Sequence, residues 1–330
     1  MSDAPERVVV IGAGAIGATC AALLQEAGAR CVIVARGEAR DAIGARGIAL
    51  RTPSGGREVR VEVAASVADA RCTARDLAIV ATMGHDTRAA VAGLAADVPV
   101  ASFQNGLAPL DELRGRAHVL AAVVYVPAER RAPGVVALPG TPVAGAVLVG
   151  AWPRGVTPLA RWLVEHLRGL RAEVEPEIER WVRAKLLTNL GGIVVALCDD
   201  PPLDVIRAAQ DEARAVWSAE GAAFASVEEL LERVGPLGEA PVDGAARQGG
   251  STRAALARGA PRLETAALHG PIVDAGRRVG VPTPWNERLI ALSERATRER
   301  WAAGAMPAST LRELLARPAA FWVDPPGRGG

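Results

Sequence analysis

The apolar positions of the first half fall in short unbroken runs. Val8–Ile11 leads into a glycine-rich turn, then an alanine- and leucine-rich segment over 18–27 closed by Gly28, then CVIVAR at 31–36. Short β-branched runs bounded by turn residues predict strands buried on both faces of a parallel sheet. The segment between them predicts a helix, so the opening reads strand, turn, helix, strand. The alternation continues. DLAIVAT (76–82), VPVASFQNG (98–106), HVLAAVVYVP (118–127) and GAVLVGAW (145–152) predict further strands. Glycines and prolines between 131 and 156 suggest the turns of a meander, and TPLARWLVEHLRGL (157–170) predicts an amphipathic helix.

Near residue 176 the character changes. Strand-like runs become rare and helical ones common. Helices are predicted from about Glu179, over 204–225, and in two segments of 251–280 interrupted by Gly259-Ala260-Pro261. Another covers 283–304, where Pro284 and Asn286 suit a helix start, and a short one covers 309–316. Residues 236–250 form a glycine- and proline-containing connection, and the tail PPGRGG (325–330) reads as frayed. The expected organisation is an α/β domain over 1–176 followed by an all-α domain over 177–330.

Composition narrows the function. A chain of 330 residues accommodates two ordinary domains, and half of them are apolar. A net charge of +1, with no basic run and no aromatic platform, argues against a nucleic-acid partner. The longest apolar stretch, around 8–24, is broken by Gly12, Gly14, Gly17 and Thr19, which argues against a membrane span. The opening MSDAPER lacks the cationic start of a signal peptide. Cys20, Cys31, Cys72 and Cys198 are far apart and read as small core residues in a reducing cytoplasm. His85, His118, His166 and His269 show no metal-ligand spacing, so no metal is expected.

Gly12-Ala-Gly14-Ala15-Ile16-Gly17 sits between the first strand and helix, in a βαβ unit of about thirty residues. That is the context a dinucleotide-binding GxGxxG requires. Gly12 permits the tight turn, Gly14 lets a pyrophosphate approach the backbone, and Gly17 lets the helix pack on the strand. The helix N-terminus, with Ala15 and Ile16 in its first turn, turns its free N–H groups to the phosphates. The first domain is therefore expected to be of the Rossmann kind. After the second strand, an NAD site usually carries an acid for the ribose. Here the position is Arg36, which suits a 2′-phosphate and favours NADPH, while Glu38 keeps NADH open. Gln104-Asn105-Gly106 ends another predicted strand, where open α/β sheets gather ligands. Asn105 suits a contact to substrate or nicotinamide, and equally suits a plain Asn-Gly turn.

Lys185 is the only lysine of the chain; every other basic side chain is arginine. Chance survival in an arginine-biased genome is one account. The other is chemical. Trp181, Lys185 and Asn189 are four residues apart and share a helix face. An ammonium, unlike a guanidinium, can give up a proton to the oxygen of a carbonyl as hydride reaches its carbon. Of three asparagines, Asn105 and Asn189 lie at positions suited to a ligand; the third is Asn286.

Taken together, GAGAIG with Arg36, QNG at 104–106, KLLTN at 185–189, and RLETAALHG followed by GVPTPWN over 262–286 resemble the ketopantoate reductase (2-dehydropantoate 2-reductase) family over nearly the whole chain. The resemblance implies a Rossmann domain followed by a helical domain with the active site in the interdomain cleft, and NADPH-dependent reduction of ketopantoate to pantoate for coenzyme A synthesis. It implies Lys185 as general acid, and Asn105 near nicotinamide and substrate. Asn189 becomes a substrate ligand and Glu264 a carboxylate near the lysine that orients substrate. Ser251 or Thr252, with Thr252 favoured by its spacing to Glu264, supplies a hydroxyl for the substrate carboxylate. The plain alternatives are an exposed helix carboxylate for Glu264 and helix capping for the Ser-Thr pair. A homodimer is compatible with this reading.

Two departures stand out. The family commonly has a lysine where this chain has Met83, and a second asparagine where it has Ile193. LETA also replaces the usual TEID, and the acid before it is missing. These changes raise one rival, a reductase of a less polar 2-oxo acid or imine; a rival of another class is a catalytically silent NADPH-binding sensor or scaffold.

Overall fold

The computed structural model describes residues 4–318 and 321–322. The tail read as frayed, 325–330, lies outside them. The chain forms two compact units, one of residues up to 185 together with 224–247, the other of 186–223 together with the residues from 248 on.

The middle of the first unit is carried by Val8–Ile11, Cys31–Val34 and Leu77–Val80, each buried at all four positions. Successive side chains of a strand face opposite ways. Val8 and Val10 accordingly join one core with the helices Ala15–Glu26 and Pro158–His166, while Val9 and Ile11 join a second core on the other face. Two covered faces explain why these strands are apolar throughout.

Across the eight-stranded sheet the order is Arg171–Val174, Ala146–Ala151, Val119–Tyr125, Val100–Ser102, Leu77–Val80, Val8–Ile11, Cys31–Val34 and Glu62–Ala64. From Val119–Tyr125 to Glu62–Ala64 all neighbours are parallel, and Ala146–Ala151 runs antiparallel to Val119–Tyr125. From Val8–Ile11 the chain proceeds to one side, then crosses back to lay Leu77–Val80 on the other. This reversal is a topological switch point, where the loops after two neighbouring strands part and leave room for a ligand.

The second, four-stranded sheet was not legible. Its order is Gly55–Val59, Ile48–Thr52, Val135–Ala137 and Glu129–Ala132. GGREV at 55–59 is polar, and only Val59 is buried. Ile48, Leu50, Val59 and Val136 give the sheet one apolar face, in the same core as Val8 and Val10, but they are too scattered along the chain to announce strands.

A single change of domain at 176 also differs from the observed division. The division falls after Lys185, inside the helix Ile178–Asn189, and its Ile178, Trp181, Val182 and Ala184 lie in the core of the first unit. Residues 224–247 return to the same core. Their helix Val227–Val234 begins with a reciprocal Ser226–Glu229 capping box and buries Leu230 and Val234 against Ile178 and Trp181. Gly238–Glu239 then pairs with Gly140–Thr141.

The second unit is helical: Gly192–Leu197, Leu203–Ala219, Ser251–Ala257, Thr265–Val279, Pro284–Arg298 and Ala308–Leu315. Leu203–Ala219 stops short of the expected 225, and the residues from 224 belong to the first unit. Asn286 does more than start a helix. It is fully buried. Its Nδ2 donates to Glu212 Oε2 at 2.7 Å and to Ala209 O at 3.0 Å, and its Oδ1 accepts from His269 Nδ1 at 2.8 Å. Glu212 also accepts from the backbone N–H of Trp285 and Asn286, which caps Pro284–Arg298 from a neighbouring helix. This polar knot locks three helices together.

Burial pushes the His269 imidazole down to about 4, only partly opposed by its bond to Asn286. An unfolded histidine takes up its proton near pH 6.5. The stability that neutral His269 contributes is therefore whole above about 6.5 and is lost as pH falls toward 4, by as much as about 3 kcal/mol. Glu212, raised by its burial, acts in the opposite sense. The contribution of His269 is isolated by comparing urea unfolding of the native chain with that of His269→Gln. The stability advantage of the native chain shrinks from pH 7 to pH 4.5; an advantage constant over this range would refute the assignment.

Candidate active site

The site is built outward from the switch point. Where Val8–Ile11 ends, Gly12 N–H donates to Val34 O at 3.2 Å and the backbone takes φ of +112°. A Cβ there would meet the Ala81 backbone at 3.0 Å, and a Cβ on Gly17 would fall 1.9 Å from Gly12 O. Both glycines are steric requirements. Gly14 differs. It precedes Ala15–Glu26 in the N-cap position, is exposed, and has open space where a side chain would project. It offers no side-chain cap, and no acid stands in the first turn. The N–H groups of that turn, at Ala15, Ile16 and Gly17, have no acceptor within the helix. Open space, free donors and the positive end of a helix fit a pyrophosphate.

Arg36 lies two residues beyond Val34, which pairs with Ile11. It is exposed, precedes the helix Gly37–Arg46, and makes no ion pair among the described residues. Glu38 is exposed in the first turn of that helix.

Gln104, which the sequence reading passed over, is the buried pin of this edge. Its Nε2 lies within 3.2 Å of Thr82 O, Thr82 Oγ1, Met83 O and Thr87 Oγ1, and its Oε1 accepts from Ser102 Oγ. The amide thus fixes the 82–87 loop against the end of Val100–Ser102. Asn105, half-buried, follows it, and Gly106 has φ of +85°. The Asn-Gly turn is real, and it leaves the Asn105 side chain at the carboxyl end of the strand. Met83 leaves this loop without the ammonium that the resemblance expects.

Lys185 is half-buried on Ile178–Asn189. Trp181, one turn earlier, belongs to the core and does not face a ligand. The Lys185 Nζ lies 5.4 Å from the centroid of the Tyr125 ring. Tyr125 ends Val119–Tyr125, a strand parallel to its neighbour Val100–Ser102. Its carboxyl end therefore points to the same edge as Gly12, Arg36, Met83 and Asn105. Through Tyr125, the lysine joins the edge that carries the glycine turn. Tyr125, the only tyrosine of the chain, was missed; the signal lay in its place at the end of an otherwise apolar run.

In the helical unit, Asn189 ends its helix. Gly250, and not Ser251, takes the N-cap position of Ser251–Ala257, so capping does not account for Ser251 or Thr252. Thr252 packs over Gly192, where a Cβ would come within 2.8 Å of its Oγ1. Glu264 immediately precedes Thr265–Val279 and is buried at 7% exposure, unlike an ordinary exposed carboxylate. Ile193, at 1% exposure, lies in the unit's apolar core with Val194 and Leu197. A side chain packed in that core gives the case for a less polar substrate no support. Among the described residues no His, Cys, Asp and Glu group could hold a metal ion, and no helix is long and apolar enough to cross a membrane. All four cysteines are free.

Comparison with known proteins gives a consistent picture. The family model for ketopantoate reductase PanE/ApbA matches residues 8–154, and that for its C-terminal part matches 186–296. A 2-dehydropantoate 2-reductase of Archaeoglobus fulgidus is 30% identical over 305 residues, covering 87% of this chain and 96% of its own. The crystal structure of a PanE/ApbA family ketopantoate reductase from Ralstonia eutropha superposes with a TM-score of 0.72 at 28% identity, over 89% of this chain and 99% of that one. D-mandelate dehydrogenase, solved with NADH and anilino(oxo)acetate, shares the fold at 19% identity with a TM-score of 0.72, over 89% and 99% of the two chains. With a Rossmann-type α/β unit, a helical unit and both family models matched, this chain belongs to the ketopantoate reductase PanE/ApbA family of oxidoreductases.

Proposed function

We propose that the protein reduces the 2-oxo group of ketopantoate to pantoate with NADPH, and that Lys185 supplies the proton. The observation that carries this reading is the shared sheet edge: the glycine turn, Arg36, Asn105 and, through Tyr125, Lys185 all belong to the carboxyl ends of parallel strands. The names of the relatives support the substrate. Arg36 supports NADPH over NADH, because an exposed guanidinium with no acid bound to it suits a 2′-phosphate.

Bound NADPH supplies the hydride. The N–H groups at Ala15, Ile16 and Gly17 hold its pyrophosphate, and Arg36 holds the 2′-phosphate. Asn105, positioned by Gln104, orients the reacting groups. The Lys185 ammonium stabilises the negative charge that grows on the carbonyl oxygen and transfers its proton there. Asn189, Thr252, Ser251 and Glu264 are assigned substrate contacts by the family resemblance. A silent sensor would have no use for a proton donor at this edge.

Two outcomes follow for NADPH oxidation read by nicotinamide absorbance. Lys185→Ala lowers kcat with ketopantoate by about 10²–10⁴-fold while NADPH still binds. Lys185→Arg does not rescue it, since guanidinium keeps its proton. Turnover unchanged in Lys185→Ala would remove the lysine from the mechanism. Arg36→Ala raises the KM for NADPH roughly tenfold to hundredfold and leaves that for NADH nearly unchanged. An equal loss with both cofactors would mean that Arg36 does not read the 2′-phosphate.

A further inference from the structure

Residues 81–83 lie against the glycine turn. Ala81 N–H donates to Ile11 O at 2.9 Å, and a Cβ on Gly12 would meet Ala81 O at 3.0 Å and Thr82 Cγ2 at 3.1 Å. A Cβ on Gly17 would meet Ala81 Cβ at 3.2 Å. The loop after Leu77–Val80 is therefore a wall of the place that the proposed function gives to the pyrophosphate. What this wall presents matters to an anion. A backbone carbonyl turned toward it would repel it, whereas a carbonyl bound within the protein would not.

Two carbonyls of the loop are bound by a buried amide. Gln104, at 8% exposure, brings its Nε2 to 3.1 Å from Thr82 O, 3.2 Å from Thr82 Oγ1, 3.2 Å from Met83 O and 2.9 Å from Thr87 Oγ1. Chemistry fixes which way the amide faces. Carbonyl oxygens only accept, so the nitrogen must face them, and a flipped amide would set its own oxygen against both. Ser102 Oγ donates to the other end, Oε1, at 3.2 Å. Thr87 gives its hydroxyl proton to Gly84 O at 2.7 Å, which leaves its oxygen to accept from Gln104. Met83 O also accepts from Asp86 N–H at 2.9 Å, so both of its lone pairs are used.

No other side chain of this size repeats the arrangement. Methionine fills the space and donates nothing. An ionised glutamate sets a charged oxygen against four others, and it donates only when protonated. Either leaves buried acceptors bare, which costs more than the bonds themselves are worth.

We propose, resting on the cofactor part of the function above, that Gln104 is a positioning residue for the cofactor: its amide draws the carbonyls of Thr82 and Met83 away from the glycine turn and so gives the loop beside Gly12 a face that an anion can approach. This role differs from that of Arg36. The 2′-phosphate falls to Arg36 and belongs to NADPH alone, whereas the pyrophosphate is common to both nucleotides. Gln104 therefore governs the affinity for NADPH and NADH alike.

Two readouts on the full-length chain test this without turnover: nucleotide binding, followed by nicotinamide fluorescence, and hydrogen exchange of the 83–87 amides without nucleotide. In Gln104→Met the Kd values for NADPH and NADH both rise roughly tenfold, and the 83–87 amides exchange roughly tenfold faster, while Val8–Ile11 keeps its native protection. Gln104→Glu adds a signature that a loss of packing lacks. NADH serves as its probe, because the 2′-phosphate of NADPH itself titrates at about pH 6. Among four oxygens a carboxyl keeps its proton well above its ordinary value of about 4.3. NADH therefore binds Gln104→Glu nearly as well as the native chain at about pH 6, and roughly tenfold worse at about pH 8.5. The pairs His85–Asp86 and Arg88–Glu112 are common to all three proteins and cancel from the comparison. Native Kd values in Gln104→Met would overturn the positioning role, as would a loss confined to NADPH. A Gln104→Glu chain whose affinity relative to native is the same at both pH values would overturn the part given to the amide donors. If Gln104→Met does not fold, Gln104→Glu decides alone, by the pH dependence of its affinity and the exchange of its loop. A native protein that binds both nucleotides but does not reduce ketopantoate would sink the substrate part of the functional reading and leave the role of Gln104 standing. One that binds neither would sink both.

Discussion

The carbonyl of Gly12 occupies the place that any side chain at residue 17 would need. A Cβ on Gly17 would fall 1.9 Å from that oxygen, a distance that no rotamer change can relieve. The first strand and first helix can lie this close only with glycine at both positions. That approach aims the helix's N-terminal turn at the space beyond the strand. The rest of the site inherits this constraint. The switch point places Leu77–Val80 beside the same strand, so the loop holding Met83 and the loop holding Asn105 flank the glycine turn. The buried Gln104 amide then makes those two loops one rigid edge.

On the proposed function, the division of labour along that edge follows the chemistry of each cation. Arg36 is exposed, rigid in its charge and suited to a phosphate. Lys185 is half-buried and carries a proton that can leave. In a chain that writes nearly every other positive charge as arginine, the two types are not interchangeable. Where charge alone is wanted, arginine serves; where a proton must move, it does not.

What could be read from the sequence was whatever one segment settles alone. The buried strands announce themselves because both faces are covered, and the glycine turn because steric demands leave no other residue. Lys185 was visible because it is unique. The remainder depends on partners distant in sequence. Strands 48–59 and 129–137 pair with one another and bury Ile48, Leu50, Val59 and Val136 in a core shared with distant segments, so polar GGREV gave no sign of them. Residues 224–247 leave the helical unit because Leu230 and Val234 fit a core founded on Ile178 and Trp181, a fact of packing and not of composition. Asn286 looked like a helix start and proved to be the centre of a buried knot, since only the fold brings Glu212 and His269 to it. Trp181, at the right spacing to share the lysine's face, belongs to the core instead. Spacing gives a helix face but does not say what covers it.

The same distinction governs the two departures from the family pattern. Ile193 replaces an amide, which from sequence alone suggests a pocket made less polar. Its burial among Val194 and Leu197 changes the meaning: here the position is part of the helical core, and the neighbouring Gly192 lets Thr252 lie close over the backbone. The change concerns packing first. Met83 is the opposite case. It remains on the ligand edge, half-buried, with its backbone carbonyl engaged by Gln104. There the loss of an ammonium removes a charge from the edge that the proposed function gives to the cofactor. On the proposed function, phosphate then falls to the helix N-terminus, which does not distinguish the 2′ position, and the 2′ position to Arg36. That reading makes one exposed side chain decide between NADPH and NADH.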